Sequence, residues 1–252
     1  MKRRIMAALT ATLFSFSVHA AETNVVEAFV CNLNPGKTMA DLSAATENYV
    51  SQRGRIDSAT LQKLVSRVWV PNIGSAEMDF VWFNTNMTFR EWGEMRNAYM
   101  ASSVGASIQA QFDEVSTCER SGIYAQEMLF TNLDEQSFEE GPVSIESYVC
   151  LLHEGKTIAD SDAAVEAWKP AFARAVEQTG ATTFVGRRTP IISSSGFDLA
   201  YFAVWDSTVE FADTNQTFDA NPASATSDGL FAAAHRCDST LFTSTTMVPP
   251  PD

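Results

Sequence analysis

Residues 27–47 read EAFVCNLNPGKTMADLSAATE, and residues 146–166 read ESYVCLLHEGKTIADSDAAVE. The second stretch follows the first at an offset of 119 residues without a gap, and 12 of the 21 aligned positions are identical. The same offset carries Cys118 onto Cys237, far outside the quoted stretch. We therefore interpret the chain as a tandem duplication of one whole domain.

Each copy shows the same succession of local patterns. An apolar, β-favouring run ends in a Gly-Lys-Thr turn, and a helical period follows from Thr38 in the first copy and from Thr157 in the second. Two short apolar runs then flank a Gly/Ser turn, and a second helix begins at a capping-box pattern, Thr88 to Glu91 or Ser207 to Glu210. With a final strand, each copy reads β-α-β-β-α-β, the ferredoxin-like arrangement with one antiparallel sheet and both helices on one face. The predicted class is α+β.

The domain boundaries follow from this repeat and from composition. Residues 1–20 begin with three basic residues, continue with an apolar run and end in Ala20, which is typical of a secretory signal peptide. We predict a first ferredoxin-like repeat over 21–130, an acidic linker over 131–143 and a second repeat over 144–246. Residues 247–252 contain three prolines, and we expect a loose tail there.

Four cysteines in an exported chain favour disulfides over free thiols. Three pairings are formally possible, but Cys31 to Cys118 and Cys150 to Cys237 have the same separation of 87 residues. A unit that carried its own bridge before duplication would leave this pattern, so we predict one bridge in each repeat. We predict no metal site, because no CxxC spacing accompanies the cysteines.

The composition argues against some partners and in favour of others. The full chain has a formal net charge of −14, and removal of the leader would make it more acidic. Such a surface disfavours nucleic acid and anionic lipid. No segment after the leader approaches the roughly 20 apolar residues of a membrane helix. We therefore expect a periplasmic or secreted protein, not inserted in a membrane, that is a monomer containing an internal pseudo-dimer.

A single ferredoxin-like sheet leaves one apolar face bare, and such a face must be covered. The simplest arrangement is that the two repeats pack these apolar faces against each other. In its element order and duplication the chain resembles the dimeric α+β barrel superfamily, over about residues 25–129 and 144–246. That group includes antibiotic-biosynthesis-type monooxygenases and fused haem proteins such as chlorite dismutase-like enzymes. The resemblance implies a pseudo-dimeric barrel, but fold does not determine function.

Titratable residues present in only one copy are candidates for a site. His153 stands where the first copy has Asn34, and His235 stands where it has Ser116. If Cys150 and Cys237 are bonded, the two histidines leave neighbouring strands in one region. They are our candidates for a general base or an axial ligand, with inconsequential surface histidines as the alternative.

Six further residues are candidates for ligand contacts. Arg187 and Arg188 replace Val68 and Trp69 on a strand suited to a core, where they would either face solvent or meet a carboxylate. Four others are expected to line a cavity between the two sheets: Trp82, Asn84, Tyr201 and Trp205. The alternative for each one taken alone is aromatic packing without a ligand.

Three functions remain open at this level. We favour an exported protein that binds a small apolar or aromatic molecule in an aromatic-lined cavity between the sheets, without a cofactor. The alternative is a barrel-superfamily enzyme, either cofactor-independent or haem-dependent, that uses His153 or His235. The third is an envelope structural or interaction protein that has no ligand.

Overall fold

The computed structural model describes residues 24–74, 77–133, 142–194 and 196–249. We call residues 24–133 the first half and 142–249 the second half. The first half consists of β1 Asn24–Leu33, α1 Met39–Arg53, α2 Ala59–Lys63, β2 Val65–Gly74, β3 Phe80–Thr88, α3 Phe89–Ala101, α4 Ser103–Val115 and β4 Ser116–Thr131. The second consists of β5 Val143–Leu152, α5 Ile158–Thr179, β6 Thr183–Ser193, β7 Leu199–Trp205, α6 Thr208–Asp219, α7 Ser224–Ala234 and β8 His235–Val248.

The four predicted helices, α1, α3, α5 and α6, begin where the sequence predicts. At α1 the Asp41 amide donates to the Thr38 hydroxyl at 3.4 Å, and the Asp41 carboxylate accepts from the Thr38 amide at 2.8 Å. In α5 the carboxylate of Asp160 accepts from the Thr157 amide at 2.9 Å. These contacts satisfy amides that the first turn of a helix leaves without a partner.

The eight strands form one closed barrel in the order β1-β3-β2-β8-β5-β7-β6-β4. Within each half the order is the ferredoxin-like one, with the first and third strands at the centre. The halves join at two antiparallel seams, β2 with β8 and β4 with β6. The predicted fold class, two ferredoxin-like units closed into a pseudo-dimeric α+β barrel, is confirmed.

Some boundaries differ from the predicted ones. β8 continues through Val248, which is fully buried and lies opposite Ser66 of β2, so at least two residues of the expected tail belong to the barrel. This strand must be long because it pairs both with β5 and with β2 across a seam. The short helices α2, α4 and α7 were not predicted. The expected leader at 1–20 and most of the linker lie outside the described residues.

Side chains alternate between the barrel interior and the helix-covered face of each sheet. The interior is filled by an apolar cluster in which the ring of Trp69 lies 4.2 Å from Phe83, 6.0 Å from Phe202 and 5.7 Å from Phe242, measured between centroids. On the outer faces, separate clusters lie against α1 to α4 and against α5 to α7. Both faces of each sheet are therefore buried.

No helix in the described ranges is long and apolar enough to span a lipid bilayer.

The predicted disulfides are both present. Cys31 is bonded to Cys118 and Cys150 to Cys237, and in each case the two residues are direct cross-strand partners. Each bridge thus joins the first and last strands of its own half.

We expect the Cys31→Ser/Cys118→Ser double variant to lose about 4 to 5 kcal/mol of unfolding free energy, because the bridge closes a long loop in the unfolded chain. The Cys150→Ser/Cys237→Ser variant should lose a similar amount, since both pairs are separated by 87 residues. Urea unfolding of the two variants measures both losses. A loss of only a few tenths of a kcal/mol would show that the bridges do not constrain the unfolded chain.

Candidate functional site

Each half contains a cavity between its sheet and its helices. The first cavity has a volume of about 140 Å³, and the second has a volume of about 610 Å³. The cavities occupy corresponding places, because Cys31 and Cys118 line the first and Cys237 lines the second. The second is large enough for a small organic molecule.

Aromatic rings form most of the wall of the second cavity. They come from the sheet on one side and from the helices on the other, and their centroid separations of 4.2 to 6.2 Å show that several rings pack on each other. The rings besides Trp205 are those of Tyr148, Trp168, Phe172, Tyr201, Phe202, Phe218 and Phe231. Such a wall suits an apolar or aromatic ligand.

His235 lies at the first position of β8, directly after α7, and is 5% exposed. Its Nδ1 atom is 3.2 Å from the Cys237 sulfur, and its ring lies between those of Tyr201 and Phe231, at 5.6 and 5.5 Å. A disulfide sulfur carries no hydrogen, so the contact requires the proton on Nδ1. The lone pair is then on Nε2.

The Nε2 atom of His235 is buried and has no hydrogen-bond partner among the described residues. Burial lowers the pKa of His235, and the neighbouring His153 adds to this effect. The imidazole is therefore neutral at neutral pH, with an unused acceptor in the wall of the cavity. Buried polar atoms without partners are rare and call for an explanation.

Trp205 supplies a second atom of this kind. Its side chain is completely buried at the end of β7, and the indole Nε1 has no acceptor in the described part of the chain. His235 and Trp205 both line the second cavity, and each has one buried polar atom without a partner among the described residues, an acceptor on His235 and a donor on Trp205. A ligand with matching groups would satisfy both.

Three carboxylates also line the second cavity. Glu146 is half-buried on β5 and accepts a hydrogen bond from the Tyr148 hydroxyl. Burial raises the pKa of Glu146, and the charge of Asp219 raises it further. Burial also raises the pKa of Asp228, again with a contribution from Asp219. The charge of Asp219 therefore acts on both of the other carboxylates.

The first cavity contains the equivalent glutamate in a closed network. Glu27 is 5% exposed and accepts from Asn84 Nδ2 at 2.9 Å and from Trp92 Nε1 at 3.0 Å. The Trp82 indole donates to Asn84 Oδ1 at 2.7 Å. Here every one of these polar groups has a partner, and little space remains.

The predicted site residues fall into three places. The second cavity brings together four of them: His153, His235, Tyr201 and Trp205. Trp82 and Asn84 line the first cavity. The location between the sheets that was expected for Trp82, Asn84, Tyr201 and Trp205 is wrong, because all four line cavities on the helix-covered faces, and the apolar cluster around Trp69 occupies the space between the sheets.

The two arginines lie on opposite faces of β6. Arg187 is paired with Asp162 of α5 at 2.5 Å and with Glu127 of β4 at 2.6 Å. Arg188 is buried in the barrel interior, with its guanidinium carbon 4.2 to 4.8 Å from the centroids of three rings, including that of Trp69. Burial lowers the pKa of Arg188 to about 9, so it remains charged at neutral pH. Neither arginine lines the second cavity.

Sequence reasoning missed the three carboxylates. Asp219 and Asp228 replace Met100 and Gln109, so the search for groups titratable in one copy only could have found them. The search missed both residues because α7 was not predicted, so the residues that lie near the end of α6 were not known. Glu146 was overlooked because residues identical in both copies were attributed to the scaffold.

Comparisons with solved structures agree with this architecture. A protein from Fusobacterium nucleatum named as a monooxygenase superposes with a TM-score of 0.57 at 9% identity, covering 92% of this chain and 96% of its own. The fold is that of the dimeric α+β barrel proteins. Chlorite dismutase from Candidatus Nitrospira defluvii matches with a TM-score of 0.52 at 10% identity, covering 90% and 93%. The DyP-type peroxidase of Mycobacterium smegmatis matches at 0.51 and 12%, covering 93% and 98%.

No protein-family model and no curated protein matches this sequence. At such low identities the structural likeness concerns the fold alone.

The resemblance to chlorite dismutase-like haem proteins raises the question of whether the second cavity would fit haem. His235 offers a free nitrogen, but its other nitrogen faces a disulfide sulfur instead of the carboxylate or carbonyl that usually orients a ligating histidine. The two propionates of haem would also meet three carboxylates and only one arginine, Arg236. The lining does not fit haem.

A metal ion is likewise not accommodated by the sulfur atoms. The ligand atoms of Cys150, His235 and Cys237 lie within 4.8 Å of one another. The two sulfurs are bonded to each other, however, and the thiolate is the form that binds metals.

Acidification should destabilise the protein through His235. Its folded-state pKa lies below the unfolded value, so the unfolded chain binds more protons and stability falls as pH drops through about 6.5. Urea unfolding at pH 7.5 and pH 5.0 should show a smaller loss for His235→Ser than for the parent. His153→Asn, which also inserts the first-half residue, is the matched control. An unchanged pH dependence in His235→Ser would contradict the neutral assignment.

Proposed function

We propose that the protein is an exported small-molecule-binding protein whose ligand occupies the second cavity. The observation that carries this proposal is the pair of buried polar atoms without partners, His235 Nε2 and Trp205 Nε1, in an aromatic wall. Leaving such atoms unpaired costs about 1 to 3 kcal/mol each, and a bound ligand recovers that free energy. The site is on the outer face of the second sheet, not between the sheets.

The cavity wall indicates the shape of the ligand. Stacked and edge-on rings favour a flat apolar or aromatic body. The indole of Trp205 would donate to an acceptor on the ligand, and His235 would accept from a donor. The ligand we propose is therefore an aromatic molecule that carries at least one polar group.

The leader pattern over 1–20 and the two disulfides support export, since disulfides persist in oxidising compartments. The acidic surface agrees with a role away from nucleic acid and anionic membranes. Assignment to the periplasm or the extracellular space rests on these features.

Binding of a neutral aromatic alcohol tests the proposal. We expect tryptophol to raise the unfolding temperature of the protein and to bind in titration calorimetry, because its indole ring matches the aromatic side chains that line the second cavity. Ala203→Leu, which adds volume inside this cavity, should weaken binding about tenfold or more. Ser116→Leu, which adds volume inside the first cavity, should leave binding unchanged.

Far-ultraviolet circular dichroism of both variants confirms that they fold. Absence of any binding by tryptophol and related aromatics would overturn the proposal and favour an envelope protein without a ligand. Equal effects of the two substitutions would place the ligand elsewhere.

A second candidate function is catalysis by proton abstraction, with His235 as the general base. The specific observation is its neutral imidazole, which lines the second cavity and whose Nε2 atom has no partner among the described residues. In such a step Nε2 takes a proton from an acidic C–H or O–H of the ligand, and the electron pair stays on the ligand. The likeness to a protein named as a monooxygenase agrees with this candidate at the level of fold.

Hydrogen exchange into 2-tetralone separates catalysis from binding. In deuterium oxide the enzyme should accelerate exchange of the protons next to the carbonyl, and His235→Gln should reduce the acceleration by about 100-fold or more. His153→Asn should retain it, because the His153 Nε2 atom is engaged with the Ala232 carbonyl at 3.1 Å. Undiminished exchange in His235→Gln would overturn the catalytic role and leave the binding proposal intact.

A further inference from the structure

The two cavities differ in charge as well as in volume. They occupy corresponding positions in the halves, so each lining residue can be compared with its equivalent at the offset of 119. The following inference rests on the proposed function, because it concerns what the second cavity binds.

The shared glutamate accepts hydrogen bonds from different donors in the second half. Glu27 accepts from Asn84 and Trp92, whereas the residues equivalent to these two are Ala203 and Phe211, which have no side-chain hydrogen-bond donors. Glu146 retains a hydrogen bond from Tyr148 and one from Asn215. The loss of the larger Asn84 and Trp92 side chains also leaves space next to the carboxylate.

The other charged positions change in the same direction. Arg96, which lines the first cavity, corresponds to Asn215 in the second, so a cation is lost. Asp228 stands where the first half has Gln109, so an anion is gained in the lining. Asp219 is a further anion in the second cavity, at the position of Met100.

The resulting cavity has more negative charge than its own residues neutralise. The first cavity is lined by one carboxylate and one guanidinium, Glu27 and Arg96, and the second by three carboxylates and the guanidinium of Arg236. Within the described chain, the charges that act on Glu146 and Asp228 come from Asp219, and no cation contributes. Like charges held close together are unfavourable unless a cation joins them.

Acidic groups on an open surface are common and would carry no such inference. Here the two exposed aspartates and the half-buried Glu146 line the same cavity as His235 and Trp205, which are more than nine-tenths buried and each have a polar atom without a partner among the described residues. His235 Nε2 accepts hydrogen bonds, as carboxylates do, so it also suits an N–H donor. The aromatic wall adds attraction for an organic cation through the ring faces.

We propose that the second cavity selects an aromatic or apolar amine in its protonated form. The ammonium group would lie against Glu146, Asp219 and Asp228, and the apolar body would pack on the surrounding rings. The first cavity, which is small and has balanced charge, does not share this selectivity.

Three probes of the same shape test the proposal by titration calorimetry: tryptamine, tryptophol and indole-3-propionate, which carry a cation, a neutral hydroxyl and an anion on one indole skeleton. We expect tryptamine to bind about tenfold more tightly than tryptophol, and indole-3-propionate to bind more weakly than either.

The Asp219→Met/Asp228→Gln variant, which inserts the first-half residues, should lose the preference for tryptamine while it still binds tryptophol. Both aspartates are exposed, so the fold should tolerate the change. Glu94→Gln/Asp213→Asn neutralises two exposed carboxylates that do not line the second cavity, and it should keep the preference.

Tryptophol binding equal to or tighter than tryptamine binding would overturn amine selectivity and leave the proposed function standing. A preference for tryptamine that survives in the Asp219→Met/Asp228→Gln variant would also overturn it. Failure of all three probes to bind would remove the proposed function together with this inference.

Discussion

A four-stranded sheet with helices on one face cannot be stable in water while its other face is apolar and uncovered. In this protein each half covers the bare face of the other, and the two seams, β2 with β8 and β4 with β6, satisfy the backbone groups at all four sheet edges. The closed barrel therefore removes both exposed apolar surface and exposed strand edges. The remaining features of the molecule depend on this closure.

Because the barrel interior is a packed core, ligand space has to be found on the outer faces. There the helices can move apart, or their side chains can be replaced, without disrupting the barrel. The first half keeps a closed network around Glu27, whereas the second half has replaced large polar side chains by Ala203 and Phe211 and contains the larger cavity. The first half can thus maintain the fold while the residues that line the second cavity change.

The sequence predicted the element order, the helix caps and the disulfides because each depends on local patterns or on a repeated spacing. Capping boxes such as Thr88 with Glu91 identify helix starts directly. The faces of the strands were predicted less well. Alternation shows that Trp82 and Phe83 point in opposite directions, but it does not show which direction leads to the helices, since both faces are apolar.

The same limit explains the arginines and the carboxylates. Arg187 and Arg188 are neighbours on β6, so the first lies on the outer face and the second inside the barrel. Both side chains are buried. Asp219 and Asp228 come together only through the packing of α6 against α7, which no spacing in the sequence reveals.

The position of Arg188 has an evolutionary consequence. Arg188 is equivalent to Trp69, and the two side chains stack on each other inside the barrel, 4.8 Å apart. Two identical copies of the second half would bring guanidinium against guanidinium at this point, and two copies of the first would bring indole against indole. A symmetric homodimer cannot contain this pair, because its two subunits would place the same residue at both positions, so any symmetric homodimeric ancestor would have lacked it.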